Sequence, residues 1–145
     1  MESVQLISHR LRKINYLYNK MLSKELSVFK LDHHFEVLMV LATQETPVTQ
    51  NKLTELLQID KSRTAVIVFD LEKRGLVQIK INPNDRRQHY VSLSPSALTS
   101  IPHIEVTIQK INQLAEAGIE QQKLSTFFEV SQMIQQNLVR IGVKN

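Results

Sequence analysis

The sequence contains no cysteine, which removes disulfides, zinc–thiolate sites and thiol redox sensing within this chain. Its three glycines, Gly75, Gly118 and Gly142, are too scattered to form a phosphate-cradling loop. No serine sits in a nucleophile motif, so no catalysis is expected. Long apolar runs are also missing: stretches such as Ala65 to Phe69 fall far short of the roughly 20 residues that span a bilayer as a helix. The opening residues, Met-Glu-Ser-Val-Gln-Leu-Ile-Ser-His-Arg, lack the apolar core of a signal peptide. These absences point to a soluble, cytoplasmic protein. Internal repeats and low-complexity segments are absent as well.

What is present suits one well-buried domain, or a small domain with an oligomerisation element: 145 residues, 42% of them hydrophobic. Lysine and arginine exceed the acids 18 to 14, a net charge of +4 that alone would not argue for a nucleic acid partner. Its distribution says more. Residues 60 to 90 carry seven basic side chains against four acids, whereas residues 98 to 145 carry four of each, which places the excess in one segment.

That segment lies within Leu53 to Leu93, which organises the chain. Asp60 is suited to cap a helix that closes on Lys73 and Arg74, before Gly75 in a position that favours left-handed backbone. Thr49 is a candidate cap for a preceding helix, with Leu53, Leu56 and Leu57 facing inward; the short turn Gln58-Ile59-Asp60 then makes a helix-turn-helix. Thr64, Ile67, Val68 and Leu71 follow the helical period and predict the buried face of the second helix. Lys61, Ser62, Arg63, Ala65 and Val66 are left on its first turns, the part that meets base edges when such a helix enters the major groove. There Arg63 could pair with guanine, Ser62 with a base or phosphate, and Ala65 or Val66 with a thymine methyl. Lys61 and Arg63 read equally as phosphate contacts or solvated charges. Phe69 is expected to pack against the following strands or an earlier helix.

Two β-leaning runs follow, Leu76 to Ile81 and Gln88 to Leu93, around a turn Asn82-Pro-Asn-Asp-Arg-Arg87. The alternation puts Val77, Ile79 and Ile81 on one side and His89, Val91 and Leu93 on one side of the partner. Asp85 could pair with Arg87 to stiffen the tip, leaving Arg86 and Arg87 for phosphate or minor-groove contact.

Asp60-Lys-Ser, Leu71-Glu-Lys-Arg-Gly-Leu-Val77, and Asn82-Pro-Asn-Asp-Arg-Arg87 leading into Val91-Ser-Leu-Ser94 resemble the recognition helix and wing of the MarR family of bacterial transcription regulators. Length and flanking helices agree with that family over nearly the whole chain. The resemblance implies a mainly α (α+β) fold with a winged helix-turn-helix lobe over residues 31–95 and a helical dimerisation region from 1–28 and 96–145. It further implies a homodimer that binds double-stranded DNA at palindromic operators, a repressor often relieved by a small-molecule effector. Gln58 stands where the family commonly has glycine, and Ala65, Val66 and Phe69 where it commonly has polar residues.

Outside the lobe, Val4, Ile7, Leu11, Ile14, Tyr18 and Met21 step by three and four, with Leu6, Leu17, Leu22 and Leu26 as a second apolar set, predicting a long first helix from Val4 to Leu26. Asp32 could cap a second helix to about Gln44, with Phe35, Leu38, Leu41 and Ala42 inward. Near the C-terminus, Ile101, Ile104, Ile108, Ile111, Ala115 and Gly118 form one seam and Leu124, Phe127, Ser131, Ile134, Leu138 and Ile141 another. Pro102 either lies in a first turn or kinks its helix. Seams beyond what one domain needs suggest contact with a partner subunit. By family analogy Tyr16, Tyr18, Phe29, His33 and Phe35 could line an effector pocket; ordinary core is the alternative. His33 and His34 with Glu36, or His9 and His103, raise a metal-responsive variant, but no pair of histidines has ligand spacing on one helical face, and no metal or other cofactor is expected. A winged-helix protein-interaction module without DNA binding, using Val66 and Phe69, is the competing class.

Overall fold

The computed structural model describes residues 4–27 and 34–143. They divide between two compact units, 1–109 and 110–145.

In the first unit, helix α1 (Ile7–Leu26) is free of proline and glycine but starts three residues later than its apolar pattern. Leu6 is extended and offers no side-chain cap, so the helix has nothing to hold an earlier turn. Only Leu22 and Leu26 are buried; Ile7, Leu11, Ile14, Leu17 and Met21 remain exposed. Helix α2 (Phe35–Ala42) buries Val37, Leu38 and Leu41, and begins at His34, held in left-handed backbone at φ 63°. It stops before Gln44, where the Thr43 hydroxyl donates to the Val40 carbonyl at 2.7 Å and closes the last turn. The expected cap, Asp32, lies outside the described residues.

Strand β1 (Val48–Thr49) leads into helix α3 (Gln50–Leu57), and Thr49 caps it as expected, its hydroxyl accepting from the Lys52 amide at 3.1 Å. Leu53 is fully buried, whereas Leu56 is largely exposed. After the turn comes helix α4 (Lys61–Lys73), with Thr64, Ile67, Val68 and Leu71 buried, the four positions that its periodicity predicts.

Strands β2 (Val77–Asn82) and β3 (Asp85–Leu93) form an antiparallel hairpin, and β1 pairs with β3, giving the order β1-β3-β2. The sheet therefore has a third strand that a two-residue segment could not announce. Its pairing of Val48 with Val91 ties the entrance of α3 to the hairpin's inner strand. Val77 opposes Leu93, Ile79 opposes Val91 and Ile81 opposes His89, so the predicted apolar positions share one face, buried at the base and exposed toward the tip.

Helix α5 (Pro95–Glu116) opens with proline in its first position, where no amide is needed, and the buried Ser94 hydroxyl accepts from the Ala97 amide at 3.2 Å. Pro102 lies inside this helix and leaves the Leu98 carbonyl without its usual amide. Ala97, Ile101 and Ile104 are buried with Leu22, Leu26, Leu38, Leu53, Val68, Leu71 and Val91 in the core. Each such leucine or isoleucine contributes roughly 1.5–3 kcal/mol relative to exposure.

In the second unit, Gly118 lies in the turn after α5 at φ 77° rather than on a helical seam. Helix α6 (Gln121–Val143) then buries none of its residues: Leu124, Ser131 and Ile134 are half-buried, and Phe127, Leu138 and Ile141 are exposed.

Candidate nucleic-acid interface

The start of α4 is held by a compact polar cluster. The Asp60 carboxylate accepts from the Arg63 amide and from the Ser62 hydroxyl, both at 2.7 Å. The Arg63 amide, and then the Ser62 hydroxyl, hold the Asp60 carboxyl below the ordinary carboxylate range. Behind them the buried Thr64 hydroxyl donates to the Asp60 carbonyl at 3.0 Å and accepts from the Thr54 hydroxyl at 2.8 Å, joining α3 to α4. Gln58 turns the chain between these helices at φ 56°, a left-handed conformation that costs a non-glycine residue about 1 kcal/mol. These contacts orient α4 on α3.

At about 100° per residue, Ser62, Ala65, Val66 and Phe69 share the outward face of α4, with Lys61 to one side. All five are exposed, as expected for Lys61, Ser62, Ala65 and Val66. Phe69 is the exception to expectation. It packs on neither the hairpin nor α2 and is 67% exposed, because it lies opposite the buried Thr64–Leu71 stripe. Arg63 is exposed too, but it stands on the flank shared with Asp70 rather than at the centre of the outward face. Asp70 accepts from Arg74 Nε at 3.1 Å and lies 3.3 Å from His34 Nε2, tethering α4 to the start of α2.

The hairpin tip differs from its expected form. Only Pro83 and Asn84 form the turn, and Asn82 pairs with Asp85. Because Ile81 already pairs with His89, residues 86–88 have no register partners on β2 and form an irregularity in β3. Arg86 and Arg87 thus sit in this bulge, exposed, and do not project from a loop tip. Asp85 does not pair with the Arg87 guanidinium; its carboxylate accepts the Arg87 backbone amide at 3.0 Å, satisfying a donor that the broken ladder would leave unmet. Asn82 works similarly, accepting from the Asn84 amide at 3.0 Å and donating to Gln88 at 2.9 Å.

Of the pocket expected around the tyrosines, Tyr16, Tyr18 and Phe35 fall among the described residues. Tyr16 is 64% exposed, since burial of Leu22 and Leu26 rotates it outward, and Phe29 and His33 lie outside the described residues. A cavity of about 220 Å³ instead lies beside Asn19, Ser23, Phe35, Ile59, Arg63 and Ile67. Of the expected residues that are described, Phe35 lines it, and Tyr18, half-buried, does not. Among the described residues, no group of three or more histidines and acids could hold a metal ion.

A model of the MarR family matches residues 31–88. The fold is similar over nearly the whole chain to solved transcriptional regulators. One is a probable regulator from Pseudomonas aeruginosa, 25% identical, covering 90% of this chain and 97% of that one with a TM-score of 0.76. Another is the PcaV regulator from Streptomyces coelicolor, solved with its natural ligand, 26% identical, covering 94% and 98% with a TM-score of 0.75. Residues 31–88 thus carry the MarR-family pattern. The fold is that of winged-helix transcriptional regulators. A Thauera aromatica protein named as a candidate regulator of the hcr operon is 26% identical over 65 residues, 45% of this chain and 39% of that protein.

Positive charge extends beyond residues 60 to 90. Helix α1 carries Arg10, Arg12, Lys13, Lys20 and Lys24 against Glu25, so basic character is not confined to the helix and wing. The signal for it lies in the composition of residues 7–26. No helix among the described residues is long and apolar enough to cross a membrane.

Proposed function

We propose that this regulator binds duplex DNA as a homodimer and represses transcription by occupying a palindromic operator. The observation that carries the reading is the outward face of α4, capped at Asp60 and fixed to α3 through Thr54 and Thr64, with Lys61 and Ser62 on its first turn and Arg86 and Arg87 in the wing bulge. Lys61, Arg86 and Arg87 supply phosphate contacts; Ser62, Ala65 and Val66 meet base edges. Arg63, on the flank, contacts the backbone or the edge of the site. Residues 31–95 form the DNA-binding lobe, and 1–28 with 96–145 the dimerisation region. Two half-sites a helical turn apart require two copies, and α1 and α6 each expose apolar rows, Ile7, Leu11 and Ile14 on one, Phe127, Leu138 and Ile141 on the other.

Release by a small ligand follows the PcaV regulator, which carries its natural ligand. The cavity beside Phe35 and Arg63 is its site here, since a guest there would touch the recognition helix directly. The test is selection of bound duplexes from a random pool. Enrichment of inverted repeats, with affinity falling steeply as salt rises, supports the reading. Recovery of no preferred sequence favours a protein-interaction module acting through Val66 and Phe69.

A further inference from the structure

We propose that Phe69, with Val66 beside it, reads thymine methyl groups in the major groove of the operator. This rests on the DNA-binding reading above and names the base preference of the same surface. Phe69 and Val66 are each 67% exposed, three residues apart on one helical face, and Ala65 lies one turn before Phe69. No element among the described residues covers them. The face begins at Ser62 and ends at Lys73, with Lys61 at one margin and Glu72 at its edge, so an apolar strip lies between cations suited to phosphates.

The occupant follows from groove chemistry. The apolar feature of a base pair's major-groove edge is the C5 methyl of thymine; guanine, cytosine and adenine present hydrogen-bonding groups there. A phenyl ring and an isopropyl group pressed on those groups would strip their water and return no hydrogen bond, which disfavours such bases. Against thymine methyls the same contact buries apolar surface on both sides. From Ser62 to Phe69 the helix rises about 10 Å. That length matches roughly three base steps at about 3.4 Å, so Phe69 and Ser62 address different bases of one half-site.

The experiment uses the full chain and the duplex recovered by selection. Each thymine is replaced in turn by deoxyuridine, which removes the methyl and leaves every hydrogen-bonding group in place. At one or two positions in each half-site the wild type should lose about fourfold in affinity, the equivalent of one buried methyl at roughly 0.8 kcal/mol. Phe69→Ala should bind the thymine duplex more weakly yet show no further loss with deoxyuridine there, at an unchanged salt slope; Phe69→Leu should fall between. Deoxyuridine without effect at every position, or a full penalty retained by Phe69→Ala, overturns the proposal while leaving DNA binding intact. Failure to recover any duplex overturns the regulator reading and this inference together.

Discussion

The hydroxyls of Thr54 and Thr64 meet at 2.8 Å between α3 and α4, and Thr64 donates its own hydrogen bond to the Asp60 carbonyl. Thr64 has no exposed surface, so this chain of bonds fixes the helix-turn-helix crossing from inside. Thr64→Val keeps the shape and removes the hydroxyl. It should lower the unfolding free energy by about 1 kcal/mol. Urea denaturation checks it, and adding Thr54→Ala should cost less than the two changes apart. An unaltered midpoint would show that the bond contributes nothing.

Gln58 adopts left-handed backbone where glycine would be unstrained. Gln58→Gly should therefore stabilise the protein by about 1 kcal/mol, less what is lost with the bond from Gln58 Nε2 to the Glu55 carbonyl. The denaturation midpoint should rise with an unchanged slope. A fall would mean that the greater freedom of glycine in the unfolded chain outweighs the relieved strain.

Asp60 titrates below its ordinary value of 3.8 because the Arg63 amide and the Ser62 hydroxyl bond its charged form. A depressed folded value means that the charge contributes stability above the unfolded pKa and loses it as pH falls through the folded one. Asp60→Asn keeps an acceptor for the amide and has no charge to titrate. The stability difference between the two proteins should be flat near neutrality and shrink below about pH 4. A difference that stays constant through the acid range would remove the carboxylate's charge from the cap.

Arg86 and Arg87 share the unpaired stretch of β3. Replacing both with alanine should weaken DNA binding across sequences and reduce the slope of log affinity against log salt by about two contacts' worth. Binding isotherms at several salt concentrations give that slope, and an unchanged one would place the wing off the DNA.

Leu138 is 63% exposed on α6, which buries nothing of its own. Leu138→Glu should leave the first unit's fold intact and shift sedimentation from dimer toward monomer. Loss of DNA affinity should accompany it, since one copy reads only one half-site. A variant that sediments as the wild type would move the interface elsewhere.

Much of the lobe was legible because several local signals agreed there. In α4 the cap, the 3.6-residue period and the closing glycine all marked the same helix, and its four buried residues followed. The wing was legible in its strands but not at its tip. Asn82 and Asp85 look like loop residues, yet in the structure their side chains accept from the Asn84 and Arg87 amides and let the strands run further. Strand β1 has two residues, too few to show a period. The tyrosines of α1 were hardest, because two apolar sets on one helix left its rotation open until Leu22 and Leu26 settled it. Phe69 misled for a related reason: a large aromatic at helical spacing ordinarily means core, and here it lies on the outside.

The Ser62 hydroxyl has one proton, and it is already committed to the Asp60 carboxylate at 2.7 Å. Toward DNA, Ser62 is thus an acceptor only, matched to the exocyclic amine of adenine or cytosine and mismatched to a phosphate oxygen. The residue that secures the helix also chooses which partner its neighbour can greet.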